Sequence, residues 1–349
     1  MNTAEKYMNR CLELARLGAG DAAPNPMVGS VIVHDGKIIG EGYHRRCGGP
    51  HAEVNAVNSV KNKALLKSST MYVSLEPCAH YGKTPPCSDL IIKHQIPHVV
   101  MGSVDPFAEV AGRGIEKMKR AGIKVEVGIL EKECLWLNRR FFTFHEKKRP
   151  YILLKWAQTL DGFIDVDRSH VAATQPTWIS NELSRRQVHK QRTEEAAILI
   201  GTNTALKDNP SLTVRAWDGN QPLRLVLDRE NRLPENLHLK DGTVPTIVFT
   251  TKEVPSKPNL EFVQLDFHSN ILPQLLQFLH SRDVQSVVVE GGYHVLQSFL
   301  DEGFWDEAHV FIGNTVFVEG VRAPNLPCPP LNNENMHDTM YKFFINSNQ

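Results

Sequence analysis

The sequence predicts an α/β protein of two domains. Short apolar, β-branched runs alternate with amphipathic segments along most of the chain. The alternation stops at a basic stretch before Pro150 and then restarts. A length of 349 residues also exceeds what one core of ordinary size holds. The boundary is set near 147, which gives units of 1–147 and 148–349.

Ala4, Tyr7, Met8, Cys11, Leu12 and Ala15 recur at helical spacing and predict an opening helix over 3–17. In "VGSVIVHDGKIIGEGYH", two apolar runs flank Asp35-Gly36, the dipeptide of a tight hairpin. "HAEVNAVNSV" predicts a helix and "TMYVSLEPC" a strand ending at Pro77. "CSDLIIKHQI" (helix), "HVVMGSVDP" (strand), "GIEKMKRAG" (helix) and "KVEVGIL" (strand) continue the pattern. Residues 131–149 read as one helix grading into a basic connector. In the second unit the predicted strands are "YILLKWAQT", "AAILIGT", "LRLVLD", "PTIVFTT", "QSVVVEGG" and "AHVFIGN". Helices are expected in "NELSRRQVHKQRTEEA", "ILPQLLQFLHSRD" and "HVLQSFLDEG". Beyond about Pro324 the Pro- and Asn-rich chain reads as irregular.

Hydrophobic residues make up 41% and charged residues 22%, an ordinary globular balance. With 39 basic and 39 acidic side chains, a protein held mainly to nucleic acid phosphates is not expected. No uncharged apolar run reaches the ~20 residues of a membrane helix. The first twenty residues contain no apolar h-region. The expectation is a cytoplasmic protein with neither nucleic acid nor membrane as partner. Six cysteines in a reducing compartment suggest metal ligands or buried thiols rather than disulfides. Exposed sheet edges leave homo-oligomerisation open.

His51 and Glu53 stand two residues apart after a Gly-Gly-Pro turn, and Cys78 and Cys87 follow in "EPCAHYGKTPPC". One imidazole and two thiolates suit zinc with a fourth position left for water. Such an ion lowers the pKa of bound water. Glu53 would take the water's proton and return it to a leaving amine. This is the residue logic of zinc nucleobase deaminases, with H-x-E followed by paired cysteines. Buried thiols are the plain alternative, and a structural zinc with His80 as fourth ligand is the intermediate one. The cysteines here are separated by eight residues rather than two.

"HAE", "EPCAHYGKTPPC" and "DPFAEVAGRG" together resemble the deaminase half of the bifunctional deaminase/reductase family of riboflavin biosynthesis. The resemblance implies a cytidine-deaminase-like three-layer α/β/α domain and a substrate carrying ribose 5-phosphate. It places His80 and Lys83, in the insert between the cysteines, on the substrate pocket. His44, and Asn25 in "APNPMVGSVIV", match further family positions. Phe107 departs: the family often has Asp-Pro-Asn-Pro where this chain reads Asp105-Pro106-Phe107-Ala108, so no contact is carried to it.

The second unit has no G-x-G-x-x-G fingerprint, so a Rossmann-type dinucleotide site is not indicated. Glu290-Gly291-Gly292 lies between a predicted strand and helix, where backbone N–H groups can approach a phosphate. "QTLDG", "TWIS", "GTNTALKDNPSLTVR" and "VEGG" occur in the order of the family's reductase half. That half resembles dihydrofolate reductase and uses NADPH. By position, Gln158, Trp178, Thr204, Asp208 and Gly292 match cofactor contacts. Arg192, Leu212, Arg215 and Glu290 match the substrate side, the two arginines suiting a guanidinium clamp on phosphate. Asp208 reads almost equally well as a capping residue, and Trp178 as core. Pro176 departs from a family serine.

The resemblance therefore implies deamination of a phosphoribosylated diaminopyrimidinone by one zinc ion per chain, followed by NADPH-dependent reduction of its ribosyl group. Two alternatives stand beside it. One is another zinc nucleobase or nucleoside deaminase fused to an unrelated reductase. The other is a nucleic-acid-binding protein with a structural zinc.

Overall fold

The computed structural model describes residues 2–81, 85–106, 111–168 and 177–346. Lys83, Phe107 and Pro176 lie outside them. The chain divides into two compact units, Met1–Lys148 and Arg149–Gln349.

The first unit runs α1 (Thr3–Arg16), β1 (Gly29–His34), β2 (Lys37–Tyr43), α2 (Ala52–Ser59), β3 (Thr70–Leu75), α3 (Cys87–Lys93), β4 (His98–Ser103), α4 (Arg113–Arg120), β5 (Lys124–Val127), α5 (Glu131–Leu137) and α6 (Arg139–Lys147). Its sheet has the order β2-β1-β3-β4-β5. β1 is antiparallel to β2 and β3, whereas β3, β4 and β5 run parallel. Asp35 and Gly36 both take positive φ, as a two-residue hairpin turn requires. Strand residues alternate between two cores. Ile32, Met71, Val73, Val99 and Met101 pack with Val57, Ile91 and Met118 from α2, α3 and α4. Val31, Val33, Tyr72 and Val100 pack with Met8, Leu12 and Cys134 from α1 and α5. Helices thus cover both faces, giving the expected three layers.

The single helix expected over 131–149 is two. Buried Asn138 separates α5 from α6 because its amide pairs with a distant backbone. Its Oδ1 accepts from Met27 N at 2.8 Å, and its Nδ2 donates to Met27 O at 2.9 Å.

The second unit contains β6 (Tyr151–Gln158), β7 (Phe163–Asp165), α7 (Glu182–Glu194), β8 (Ala197–Gly201), α8 (Thr202–Asp208), β9 (Leu223–Leu227), β10 (Thr246–Thr250), β11 (Leu260–Gln264), α9 (Ile271–Ser281), β12 (Ser286–Gly291), α10 (Tyr293–Asp301), β13 (Glu307–Gly313), β14 (Val321–Arg322), β15 (Asn332–Met336) and β16 (Thr339–Ile345). The large sheet has the order β11-β10-β9-β8-β12-β6-β13-β16-β15. β11 through β13 are parallel, and β16 and β15 close the edge antiparallel. Ile152, Leu154, Leu199 and Leu225 meet α9 and α10 on one face; Leu153, Ile198, Ile200 and Val226 fill the other. The C-terminal segment is therefore not irregular throughout. Its hairpin escapes periodicity because Asn332, Asn333 and Glu334 of the edge strand are all exposed.

Candidate active sites

β2 fixes the start of α2. A Cβ on Gly42 would come 2.3 Å from Ala56 N and 2.6 Å from Ala52 O, so only glycine lets the helix lie directly on the strand. His51 is the N-cap of α2 and Glu53 occupies its first turn. Cys78 follows β3, and Cys87 is the first residue of α3. His51 Nδ1 lies 3.6 Å from Cys78 Sγ and 3.3 Å from Cys87 Sγ. All three ligand atoms fall within 4.8 Å of one another, and no fourth His, Cys, Asp or Glu joins them among the described residues. A tetrahedral zinc with ordinary Zn–S and Zn–N bonds needs a sulfur-to-nitrogen edge of about 3.6 Å. The three side chains therefore fit zinc, and the described residues offer it no fourth ligand.

The electrostatics are those of a thiolate site. Hydrogen bonding from Cys87, then from His51, draws the Cys78 thiol down to about 4. Cys87, the donor of that pair and buried, is pushed up. Cys78 raises His51 through a hydrogen bond. Glu53 is 3% exposed, and burial pushes its carboxyl up to about 7. A carboxyl in that range can both accept and return a proton.

His44 and Asn25 flank the cluster. Pro50 O can only accept, so His44 Nδ1 donates to it at 3.1 Å, and His44 Nε2 accepts from Asn25 Nδ2 at 3.0 Å. Burial lowers the His44 pKa, and its ring meets His51 edge-on at 5.3 Å. His80 is half-buried in the loop between the cysteines.

Sequence reasoning missed Glu76. Its buried carboxylate accepts from Gly112 N at 2.9 Å, Gly114 N at 3.0 Å and Ile115 N at 3.2 Å. It thereby caps α4 two residues before Cys78. Glu76→Ala would orphan those donors and is expected to cost about 3 kcal/mol or more, read by urea unfolding of the first unit.

In the second unit, a cleft of about 560 Å³ opens beside the ends of β6, β8 and β12. Thr204, Asp208, Glu290, Gly291 and Gly292 line it, together with Lys155 and Arg168, which sequence reasoning did not select. Gly291 has φ +140, a conformation that favours glycine, and a Cβ on Gly292 would come within a tight 3.1 Å of Thr204 Oγ1. Gly292 is the N-cap of α10 and offers no side-chain cap to the first N–H groups of that helix, the kind of end that can receive an anion.

Asp208 is not an N-cap. It ends α8 and accepts from Arg168 Nη1 at 2.9 Å; Asn209 takes the left-handed C-cap position. Burial raises the Asp208 pKa, partly opposed by Arg168. Trp178 is not core: it is 62% exposed, with the Arg185 guanidinium 4.5 Å from its ring centre. Gln158 accepts from Trp156 Nε1 at 2.8 Å and is not among the described lining residues.

Arg192 and Arg215 differ in their surroundings. Arg192 pairs with Glu290 through Nε at 2.9 Å and Nη2 at 2.7 Å, and donates Nη1 to Thr213 O at 3.2 Å. Among the described residues two of its five N–H groups remain. Arg215 is exposed, with Nη1 donating to Ser211 Oγ at 2.7 Å. Between them Leu212 is buried at φ +52. Lys155 Nζ lies 3.9 Å from Glu290. Arg192 and Lys155 hold the half-buried Glu290 carboxyl down to about 2 against the desolvation that would raise it.

Comparison with known proteins matches both units. Residues 1–103 match the family described as the cytidine and deoxycytidylate deaminase zinc-binding region, and residues 150–326 the RibD C-terminal domain. The riboflavin biosynthesis protein RibD of Aquifex aeolicus is 42% identical over 327 residues, covering 92% of this chain and 90% of that protein. RibD of Bacillus amyloliquefaciens is 39% identical, with 92% and 87% covered. A solved Thermotoga maritima structure, a diaminohydroxyphosphoribosylaminopyrimidine deaminase/5-amino-6-(5-phosphoribosylamino)uracil reductase, is 39% identical with a TM-score of 0.87 and covers 98% of each chain. With a zinc-fitting His-Cys-Cys group in one unit and a glycine-lined cleft in the other, the chain belongs to the RibD family, the bifunctional deaminase/reductases of riboflavin biosynthesis.

Proposed function

We infer that this enzyme works twice on one phosphoribosyl pyrimidine. It deaminates 2,5-diamino-6-(5-phosphoribosylamino)pyrimidin-4(3H)-one, then reduces the ribosyl group of the resulting uracil to ribityl with NADPH. The observation that carries the first step is the three-ligand cluster with a buried carboxyl beside it. His51, Cys78 and Cys87 hold zinc, which supplies Lewis acidity toward a water molecule. Glu53 accepts the proton of the attacking water and delivers it to the departing amine, so that ammonia leaves. Asn25, His44, His80 and Lys83 are assigned to the substrate.

For the second step, NADPH supplies hydride to the sugar C1 after ring opening. Gly292 and the uncapped start of α10 would hold the cofactor's phosphates, and Thr204 and Asp208 line the same cleft. Gln158 and Trp178 are assigned to the cofactor by family position. Arg192, Leu212, Arg215 and Glu290 form the substrate side. Lys155, half-buried and 3.9 Å from Glu290, is a proton donor suited to that end of the cleft. None of the six cysteines is in a disulfide, in keeping with a cytoplasmic setting.

The test is metal analysis combined with ammonia release from the phosphoribosyl diaminopyrimidinone, with and without NADPH. Wild-type protein is expected to hold one zinc per chain and to release ammonia without NADPH. Cys78→Ser and Cys87→Ser are each expected to lose the metal and ammonia release together. One tightly held zinc per chain in either variant would end the ligand assignment.

A further inference from the structure

Helix α7 turns one face toward the loop at 211–215. On that face His189 and Arg192 stand three residues apart, the spacing that sets helical side chains next to one another. Two hydrogen bonds join face and loop. Arg192 Nη1 donates to Thr213 O at 3.2 Å, and the Arg215 backbone N–H donates to His189 Nδ1 at 3.2 Å. The second bond fixes the state of the ring. Nδ1 accepts, so the proton of the neutral imidazole sits on Nε2. That Nε2–H has no partner among the described residues and is not sealed from solvent. Burial, followed by the charges of Arg192 and Arg215, pushes His189 down to about 4. Near neutral pH the ring therefore stays uncharged. Three cations, Arg192, Arg215 and Lys155, influence it against the single carboxylate of Glu290, so the surroundings favour an incoming anion.

We propose that His189 is a phosphate-binding residue of the reductase, donating Nε2–H to the substrate's phosphate beside Arg192 and Arg215. The role rests on the reading that these two arginines face that phosphate. An uncharged imidazole adds a directed hydrogen bond without adding repulsion among cations that already crowd one another. The bond from the Arg215 backbone also holds the ring to the tautomer that donates.

The experiment compares reductase kinetics on the phosphoribosylamino uracil and on its dephosphorylated riboside. His189→Ala is expected to raise KM for the phosphorylated substrate about ten-fold, the scale of a lost hydrogen bond to a charged group, with kcat within about two-fold. On the riboside its kcat/KM stays at the wild-type value. His189→Gln keeps an uncharged N–H donor and recovers most of the loss. NADPH affinity, read by fluorescence titration, and ammonia release both stay unchanged. Arg215→Ala is the reference variant. Should it separate the two substrates while His189→Ala affects both alike or neither, the role of His189 falls alone. Should neither variant separate them, the phosphate lies elsewhere and both readings fall.

Discussion

Glu53→Gln is expected to retain one zinc per chain while ammonia release falls by about 10²–10⁴-fold, the usual worth of a positioned general acid–base group. The substitution preserves shape and removes the proton acceptor. Glu53 is buried beside Cys87 rather than belonging to the ligand group, so its loss leaves His51, Cys78 and Cys87 in place. The reductase lies in a separate compact unit and should oxidise NADPH at its wild-type rate when given the deaminated substrate. Ammonia release within ten-fold of wild type in a zinc-loaded variant would remove Glu53 from the mechanism.

Arg192→Met is expected to have the largest effect on the second unit. It leaves the largely shielded Glu290 carboxylate, whose side chain is 9% exposed, with Lys155 at 3.9 Å as its one remaining ion-pair partner among the described residues. Breaking one side of a fully buried ion pair costs about 3–5 kcal/mol, which sets the upper end for this nearly buried one. Reductase activity should fall below detection as the carboxylate loses its partner and the substrate a phosphate donor, while ammonia release persists. The pH dependence has a definite sign. In the folded protein the Glu290 carboxyl is depressed from 4.5 to about 2. That difference corresponds to about 3 kcal/mol of stability, fully present above the unfolded value and lost as pH falls from about 4.5 toward 2. The variant should lack this acid-labile component, so denaturation midpoints of wild type and variant converge as pH is lowered. Parallel curves across that range would contradict the assignment.

Much of the first site was legible because its chemistry is local. His51 and Glu53 lie within one helical turn, and both cysteines sit on short stretches whose residue types suggest a metal before any fold is known. The Asp35-Gly36 hairpin and the Gly291-Gly292 turn were legible for the same reason: a steric demand reduces to one or two residue types. Long-range commitments were not legible. Arg192 reads from sequence as half of a guanidinium clamp on phosphate, yet most of its donors go to Glu290 and Thr213. Glu76 carries no periodicity, and its function is to satisfy backbone groups on α4. Lys155 did leave a trace, as a lone cation inside the otherwise apolar strand "YILLKWAQ". The exposed residues of β15 show no alternation, because an edge strand facing solvent has no need of one.

The bond between Asn138 and Met27 sets how short a free-standing deaminase can be. Met27 lies two residues from Asn25, whose amide meets His44 at 3.0 Å. A fragment ended at residue 103, where the zinc-region match stops, would keep every metal ligand yet release the clasp on the segment that carries Asn25. The physical limit of that catalytic module therefore lies beyond residue 138, well past the residues that perform its chemistry.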